Sequence, residues 1–179
     1  GSAGLPPVHT ELRIVDNDNV AVGPDERGEI CIKGPNIMKG YWNRPEATAN
    51  AIDEMGWFHS GDVGYIDEEG YLYICDRLKD MVITGGENVY PAEVESVLFE
   101  HPAITEVAVI GLPDEKWGEA VTAVAAVTDG SDLTLEALRD FAVAKLARYK
   151  LPSRLHIVEA LPRNPAGKVL KFELRETLA

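Results

Sequence analysis

The stretch DRLKDMVITGGENVYP, residues 76–91, marks a change of pattern along this chain. Upstream of it, segments such as HTELRIVD at 9–16 alternate polar and apolar side chains, which is typical of half-buried strands. Downstream, Pro91 stands where the first turn of a helix accepts proline, and apolar side chains then recur at helical spacing. We therefore expect a domain boundary inside this stretch, with one domain over residues 1–78 and a second over residues 79–179.

Upstream of the boundary, the sequence predicts a small β-rich unit. HTELRIVD and GEICIKG are each expected to form a strand, and RPEATANAI a short helix that Pro45 begins. WFHSGDVGYID and GYLYICDR flank the turn EEG and predict a hairpin. The predicted elements span residues 9–16, 28–34, 44–52, 57–67 and 70–77.

Downstream of the boundary, predicted helices and strands are interspersed. Three helices are expected: one that begins at Pro91, one over residues 131–147 and one over about 171–178. The strands are expected at residues 104–113, 119–128 and 154–162, where apolar and β-branched residues predominate. This order predicts an α+β fold, in which the second unit is a compact domain with a three-stranded mixed or antiparallel sheet and helices.

The charge of the chain is large and unevenly spread. A net charge of −13 argues against nonspecific binding of nucleic acid. Residues 139–176 nevertheless hold nine basic and only four acidic side chains. This basic C-terminal stretch fits either a local binding site for an anion or an ordinary solvated surface, and charge alone favours neither.

Membrane and metal signals are weak in this sequence. No run of about 18 apolar residues and no signal-peptide pattern occurs, so we expect a cytoplasmic protein without a membrane span. Cys31 and Cys75 each lie in an apolar run and are expected to be buried free thiols. No histidine has zinc-ligand spacing with a cysteine or with another histidine, so no metal ligand is predicted. The chain begins Gly1-Ser2, which is typical of an expression remnant, and we expect it to be a piece of a longer protein.

Taken one at a time, the glycine and lysine motifs are not specific. Gly85 and Gly86 do not fit the phosphate loop G-x-x-x-x-G-K-[ST], and bare glycines more often form a turn than a site. The segment SGD at 60–62 is too short to be diagnostic. NPAGK at 164–168 is a proline- and glycine-containing loop with a lysine, and loop lysines are usually solvated.

Together and in this order, the motifs resemble the C-terminal part of the adenylate-forming superfamily, which includes acyl-CoA synthetases, peptide-synthetase adenylation domains and beetle luciferases. The resemblance rests on GEICIKGPNIMKGYWNRPEAT, GWFHSGDVGYIDEEGYLYICDRLKDMVITGGENVYPAEVE and LPRNPAGKVLK. VIGLPDEKWGE and LARYKLP make the chain most similar to bacterial medium- and long-chain fatty acid–CoA ligases. The resemblance extends from about residue 5 to the end of the chain.

The resemblance also implies what the chain lacks. The phosphate loop of the family and its adenine-binding motif would lie upstream, and neither occurs here. Residues 1–78 would then be the last part of the large N-terminal domain, and residues 79–179 the mobile C-terminal lid domain. The acyl pocket and the rest of the N-terminal domain would be supplied by upstream sequence, and this chain alone is expected to be inactive.

The family reaction implies nucleotide-binding roles for four residues. A carboxylate attacks the α-phosphate of Mg-ATP to give an acyl-adenylate, and the thiol of coenzyme A then displaces AMP. The resemblance places Asp62 on the ribose hydroxyls, Ile74 near the adenine or ribose, and Arg77 on a ribose hydroxyl or phosphate. Lys168 would bridge the substrate carboxylate and the α-phosphate. A turn-capping Asp62, a core Ile74 and an Arg77 paired with Asp76 or Asp80 are the structural alternatives.

For the second half-reaction, the resemblance implies a moving lid. Lys79 matches the hinge position, although a plain exposed lysine would look the same in the sequence. Gly85, Gly86, Glu87 and Asn88 match the loop along which the pantetheine arm of coenzyme A would pass, since glycine lets a ligand approach the backbone closely. Weaker candidates for coenzyme A contacts are Trp117, Arg148 and Lys150, with core packing an equal alternative for Trp117. Mg²⁺ is implied by the ATP chemistry, with no ligand identified in this chain.

Two other functions remain open at this point. The chain could come from another adenylate-forming enzyme, such as an aryl-CoA ligase or a peptide-synthetase adenylation domain. It could also be a non-catalytic binding module made of the lid alone. The acid specificity, the oligomeric state and any peripheral membrane association of the intact enzyme are left open, because the acyl pocket lies upstream.

Overall fold

The structure, a computed structural model, describes residues 1–179 and divides them into two units, Gly1–Lys79 and Asp80–Ala179. Each unit has its own sheet. No helix in the structure has both the length and the apolar character needed to cross a bilayer.

The first unit is built on a four-stranded antiparallel sheet with the strands in chain order. Alternation of side chains buries Ile14, Ile30 and Leu72 on one face of this sheet. The predicted strands and helix are confirmed. They are β1 (Glu11–Val15), β2 (Gly28–Lys33), α1 (Pro45–Ala51), β3 (Phe58–Ile66) and β4 (Leu72–Arg77).

A β-bulge interrupts the pairing of β2 with β3. Glu29 lies opposite Val63, whereas Cys31, two residues later, lies opposite His59. Strand β3 therefore has extra residues between these two pairs, at Ser60-Gly61-Asp62. Bulges of this kind bend a strand and redirect side chains, and they are common beside functional sites.

The second unit has a five-stranded mixed sheet covered by helices on both faces. The three strands predicted for this unit and its three predicted helices are all present, so the α+β class is confirmed. The elements are β5 (Val82–Thr84), β6 (Glu87–Val89), α2 (Pro91–Leu98), β7 (Ile104–Asp114), β8 (Gly118–Val127), α3 (Leu135–Ala142), β9 (Arg154–Ile157) and α4 (Lys171–Leu178). Strand β8 pairs antiparallel with β7 and parallel with β9.

Strand β7 supplies core residues to both faces of this sheet. Val109 belongs to the cluster that contains Leu98 of α2 and Leu138 of α3. Ile110 belongs to the opposite cluster, together with Leu174 of α4. Because both faces of β7 are buried, its sequence is almost continuously apolar rather than alternating.

Three details of the second unit differ from the sequence prediction. The sheet has five strands instead of three, because a short hairpin formed by β5 and β6 joins β8 at the pair Thr84 and Gly118. Helix α3 is shorter than the predicted 131–147, since Thr134 caps its start by accepting a hydrogen bond from the Ala137 N–H. Its end at Ala142 is followed by a turn and a 3₁₀ segment at Arg148–Lys150.

Strand β9 is also shorter than predicted and ends at Ile157 instead of residue 162. Beyond it, the Leu161 N–H donates to the side chain of Glu106, and Leu161 packs in the cluster around Leu174. The cysteine prediction is half correct: Cys31 is buried as predicted, but Cys75 is only partly buried.

Candidate functional site

Asp62 and Arg77 lie opposite each other on β3 and β4. The Arg77 Nε lies 2.8 Å from the Asp62 Oδ1, with half of the Arg77 side chain exposed. Asp80, one of the alternative partners, instead pairs with Arg175 at 3.0 Å. A carboxylate and a guanidinium thus stand together at the bulge, open to solvent and able to bind hydroxyl and phosphate groups.

Ile74 is not a core residue. Its side chain lies on β4, opposite Gly64, and is 58% exposed. The alternative of ordinary core packing is therefore wrong. An exposed apolar side chain on the strand that also carries Arg77 could contact a flat apolar ring.

Lys79 is exposed and lies in a short 3₁₀ turn, Leu78–Asp80, at the limit between the two units. Ion pairs hold Arg77, which precedes this turn, and Asp80, which is its last residue, each within its own unit. Arg77 is tied to Asp62 of β3, and Asp80 is tied to Arg175 of α4. Leu78 and Lys79 are the two residues between these attachments.

Gly85 and Gly86 form the two-residue turn of the hairpin between β5 and β6, while Glu87 and Asn88 lie on β6. Both glycines have positive φ, +59° and +84°, as a type I′ hairpin turn requires. The Gly85 N–H donates to the Trp117 carbonyl at 2.8 Å. A Cβ on Gly85 would lie only 2.9 Å from the Trp117 ring, whereas a Cβ on Gly86 would meet no atom within 4 Å.

These two glycines provide a matched test of the turn. Gly85→Ala is expected to lower the free energy of unfolding by about 1–2 kcal/mol for the left-handed backbone, plus the cost of displacing the indole. Gly86→Ala carries the same backbone cost in open space, so it is the control. Urea denaturation of this chain, followed by circular dichroism, measures both. Equal destabilisation by the two substitutions would show that the Trp117 contact does not constrain Gly85.

A cavity of about 300 Å³, here called the glycine-loop groove, lies beside this turn. Its volume is at the lower limit of typical ligand pockets. Its lining combines small, aromatic and basic residues: Thr84, Gly85, Glu87, Trp117, Val121, Arg139, Arg148, Tyr149, Leu151 and Ser153. The basic side chains make the groove suitable for an anionic ligand.

Hydrogen bonds hold two of the residues of the groove in place. The backbone N–H of Trp117 donates to Asp114 Oδ1 at 3.1 Å. The indole ring is half-exposed rather than packed in the core. The bonds from the N–H groups of Trp117 and Lys116 hold the pKa of Asp114 below its ordinary value, with Arg154 adding to the effect. Arg139 donates to the Pro152 carbonyl at 2.5 Å, which fixes the segment after the 3₁₀ turn.

Sequence reasoning named only part of this groove. Arg139, Tyr149 and Ser153 were not predicted to belong to it, because they come from a helix and a turn whose proximity to Gly85 is a tertiary feature. Lys150, which was predicted, instead forms an ion pair with Glu93 at 2.7 Å and is not among the lining residues. Arg148 and Arg139 are therefore the cations of the groove.

Lys168 lies at the end of an exposed, tightly hydrogen-bonded loop. The Asn164 side-chain oxygen accepts from the backbone N–H groups of Ala166 and Lys168, at 3.0 and 2.9 Å. Gly167 has a φ of +81°, which few residues other than glycine adopt readily. The loop backbone is thus ordered, while the Lys168 amine makes no ion pair in the structure.

An ion pair attaches this loop to the sheet. Arg163 donates to the Gly167 carbonyl at 2.7 Å and also to Glu106 of β7 at 2.7 Å. The Leu161 N–H and then Arg163 hold the pKa of Glu106 below its ordinary value by hydrogen bonding to its carboxylate. The sequence prediction named Lys168 in this loop but missed the supporting residues Asn164, Arg163 and Glu106.

The Lys168 loop and the glycine-loop groove lie at opposite ends of the β7–β8 pair. The loop is attached at Glu106, opposite Ala126, whereas the groove lies at the turn that joins Asp114 to Gly118. Eight residues separate Glu106 from Asp114, which at about 3.4 Å per residue corresponds to about 27 Å. One unit therefore carries two separate candidate surfaces.

Comparison with known proteins identifies the family. Residues 93–168 match the family model described as the AMP-binding enzyme C-terminal domain, and residues 1–42 match the model described as AMP-binding enzyme. The long-chain-fatty-acid–CoA ligase FadD13 of Mycobacterium tuberculosis is 53% identical, over 98% of this chain and 34% of that protein. A feruloyl-CoA synthase from Amycolatopsis is 49% identical, over 98% of this chain and 35% of that protein.

Among solved structures, ATP-bound MatB from Rhodopseudomonas palustris has a TM-score of 0.90 and 41% identity, over 99% of this chain and 35% of that one. The chain spans about a third of the length of the curated relatives it matches. Both units share in these matches, since the alignments cover almost the entire chain. The chain therefore belongs to the adenylate-forming family of AMP-binding enzymes.

Proposed function

We propose that this chain is part of a longer ATP-dependent fatty acid–CoA ligase. That enzyme would convert a carboxylate and ATP into an acyl-adenylate and pyrophosphate, and would then transfer the acyl group to the thiol of coenzyme A with release of AMP. The first unit would belong to a larger N-terminal domain, and the second would be the mobile lid. The separation of Lys168 from the glycine-loop groove is the observation that carries this proposal.

In the first half-reaction, Lys168 would neutralise charge that builds on the α-phosphate while the carboxylate attacks. At about 4 Å and an effective dielectric constant near 20, one such charge pair is worth about 4 kcal/mol. The lysine suits this role because its loop is ordered and its amine is not engaged in an ion pair. Asp62 would accept hydrogen bonds from the ribose hydroxyls, Arg77 would bind a hydroxyl or phosphate, and Ile74 would contact the base or sugar.

In the second half-reaction, the glycine-loop groove would receive coenzyme A. The turn of Gly85 and Gly86 presents backbone without side chains, so a pantetheine arm could pass close to it. Arg148 and Arg139 would attract the phosphates of coenzyme A, and the half-exposed Trp117 ring offers a flat apolar surface. Glu87 and Asn88 would line the path.

Because the two surfaces are about 27 Å apart on one unit, they cannot act on the same atoms in one orientation. The unit would present the Lys168 loop first and the groove afterwards. Lys79, between the attached residues Arg77 and Asp80, would absorb the change in its backbone torsions.

Mg²⁺ would accompany ATP and neutralise phosphate charge. No cluster of carboxylates in this chain fits an octahedral oxygen site, since its one metal-type cluster contains a cysteine and a histidine. The magnesium ligands are accordingly assigned to ATP and to upstream sequence. We also propose a cytoplasmic location for the enzyme, where ATP and coenzyme A are available.

An aryl acid is the second candidate substrate and is tested in the same way. The similarity to a feruloyl-CoA synthase, at 49% identity, is nearly as high as that to the fatty acid ligase. An aryl-CoA ligase would use the same residues of this chain, because the acyl pocket lies outside it. A peptide-synthetase adenylation domain or a non-catalytic lid module is supported by neither of these relatives.

The test is ATP–pyrophosphate exchange by the longer protein with a panel of acids, for example decanoate, palmitate and ferulate, each with and without coenzyme A. We expect exchange with the fatty acids and thioester formation only when coenzyme A is present. Preference for ferulate would move the assignment to an aryl-CoA ligase. This 179-residue chain alone is expected to show no exchange, and measurable exchange would refute the need for an upstream domain.

A further inference from the structure

Three potential metal ligands meet on one face of the sheet in the first unit. Cys31 of β2 and His59 of β3 are direct cross-strand partners, and Glu29 precedes Cys31 by two residues, on the far side of the bulge. The Cys31 Sγ lies 3.5 Å from the His59 Nδ1, which lies 2.7 Å from the Glu29 Oε2. The three ligand atoms all lie within 4.8 Å of one another.

From this geometry we propose that Cys31, His59 and Glu29 form a zinc-binding site. Thiolate sulfur, imidazole nitrogen and carboxylate oxygen are the three ligand types that zinc uses in proteins. With Zn–S near 2.3 Å and Zn–N near 2.0 Å, a tetrahedral site places sulfur and nitrogen about 3.6 Å apart. The observed separation of 3.5 Å matches this value.

The Glu29 carboxylate would have to move by a small amount. Its Oε2 now accepts a hydrogen bond from the His59 ring at 2.7 Å, whereas two zinc ligands of this type stand about 3.4 Å apart. The Oε1 of Glu29 is already held by the Gly61 N–H at 3.0 Å, so Oε2 is the oxygen that remains to bind the metal. A water molecule would complete the coordination.

The surroundings of the three ligands also suit a metal. A zinc-bound histidine donates its second ring N–H to a carboxylate in many sites, and Asp53 Oδ2 lies 3.8 Å from the His59 Nε2. Asp53 is in turn held by Arg13 at 3.2 Å and by the Trp57 N–H at 2.8 Å. With a thiolate, two carboxylates, one guanidinium and a divalent cation, the cluster would carry no net charge.

Zinc would bind Cys31 as the thiolate, since a coordinated thiol loses its proton. The side chains of His59 and Glu29 are 21% and 16% exposed and provide the path of entry for the ion.

Zinc at this site would also fix the β-bulge. Glu29 would bind the metal with one oxygen and the Gly61 N–H with the other, and Gly61 precedes the candidate ribose ligand Asp62. The metal would therefore act as a structural clamp beside the nucleotide-binding residues. This inference does not depend on the proposed ligase activity.

The test uses this chain freed of metal and titrated with Co²⁺ or with Zn²⁺ in the presence of a chromophoric chelator. We expect one ion per chain and, for cobalt, a thiolate charge-transfer absorption band in the near ultraviolet. Cys31→Ala should abolish this band, and His59→Gln should weaken zinc binding at least about tenfold. Asp53→Asn, which keeps the side-chain shape, should weaken zinc binding by about 10–100-fold.

Cys75→Ala is the matched control, because it removes the other thiol and leaves the three ligands in place. It should keep both the cobalt band and the zinc affinity. Circular dichroism checks the folding of each variant. If Cys31→Ala does not fold, Glu29→Gln tests the site by its effect on zinc affinity instead, with an expected weakening. Absence of the band in the unmodified chain, or unchanged zinc affinity in both His59→Gln and Asp53→Asn, would overturn the proposal.

Discussion

Lys168→Ala, introduced into the longer enzyme that contains this chain, is expected to slow acyl-adenylate formation by at least about 100–1,000-fold. The reason is that the substitution removes a preorganised positive charge from the surface that would face the α-phosphate. Conversion of supplied acyl-adenylate to thioester should continue at nearly the original rate, since the glycine-loop groove lies at the other end of β7–β8. Single-turnover assays of the two half-reactions measure the two effects separately.

Lys39→Ala is the control for this experiment. Lys39 is also an exposed loop lysine, but it lies in the first unit and has no proposed role. Its replacement changes the net charge by the same amount, so it reports any general electrostatic effect. Equal slowing of both half-reactions by Lys168→Ala would be incompatible with the assigned role.

Lys79→Pro should have the second large effect and lower the rate of one half-reaction by about 100-fold. Small misplacements of reacting groups can slow a reaction by this amount. Proline fixes its own φ and restricts the residue before it, so both residues between the two ion-paired attachments would lose freedom. The unit would then be held near one orientation. Separate rates for adenylation and thioester formation show which half-reaction survives.

Glu68→Pro is a suitable control for Lys79→Pro. Glu68 is the second residue of the turn closed by the hydrogen bond from the Gly70 N–H to the Asp67 carbonyl, a position where proline is favoured. The control introduces a proline into the same unit without touching the connection. Undisturbed rates in both half-reactions for Lys79→Pro would remove the hinge assignment.

Residues whose role depends on neighbours in the sequence were the easier ones to predict. Pro91 and the apolar spacing after it predict α2, and the final helix lies at the predicted residues 171–178. The hairpin of β5 and β6 was missed because each strand has only three residues, which is too short for a period of two to be recognised. The end of α3 was missed because burial of Leu146 in the core does not require a continuing helix.

Features that depend on distant partners could not be predicted from the sequence. Arg163 and Glu106 are separated by 57 residues, and their ion pair is what attaches the Lys168 loop to the sheet. Cys31 and His59 are separated by 28 residues, so no short metal-binding motif indicates their contact. The roles of the candidate site residues came from resemblance to the motifs of a family. A motif identifies the residue that would contact the ligand, but not the distant residues that hold it in place.

Because only Leu78 and Lys79 lie between the ion-paired residues Arg77 and Asp80, a torsional change at these two residues would turn the whole second unit. Its two candidate surfaces are about 27 Å apart, so a rotation of the whole unit by about 10° about one surface would move the other by about 5 Å. This movement exceeds the length of a hydrogen bond, so small torsional changes at these two residues would suffice to withdraw a reacting group from its substrate. The stiffness of two residues would then set how sharply the enzyme separates its two chemical steps.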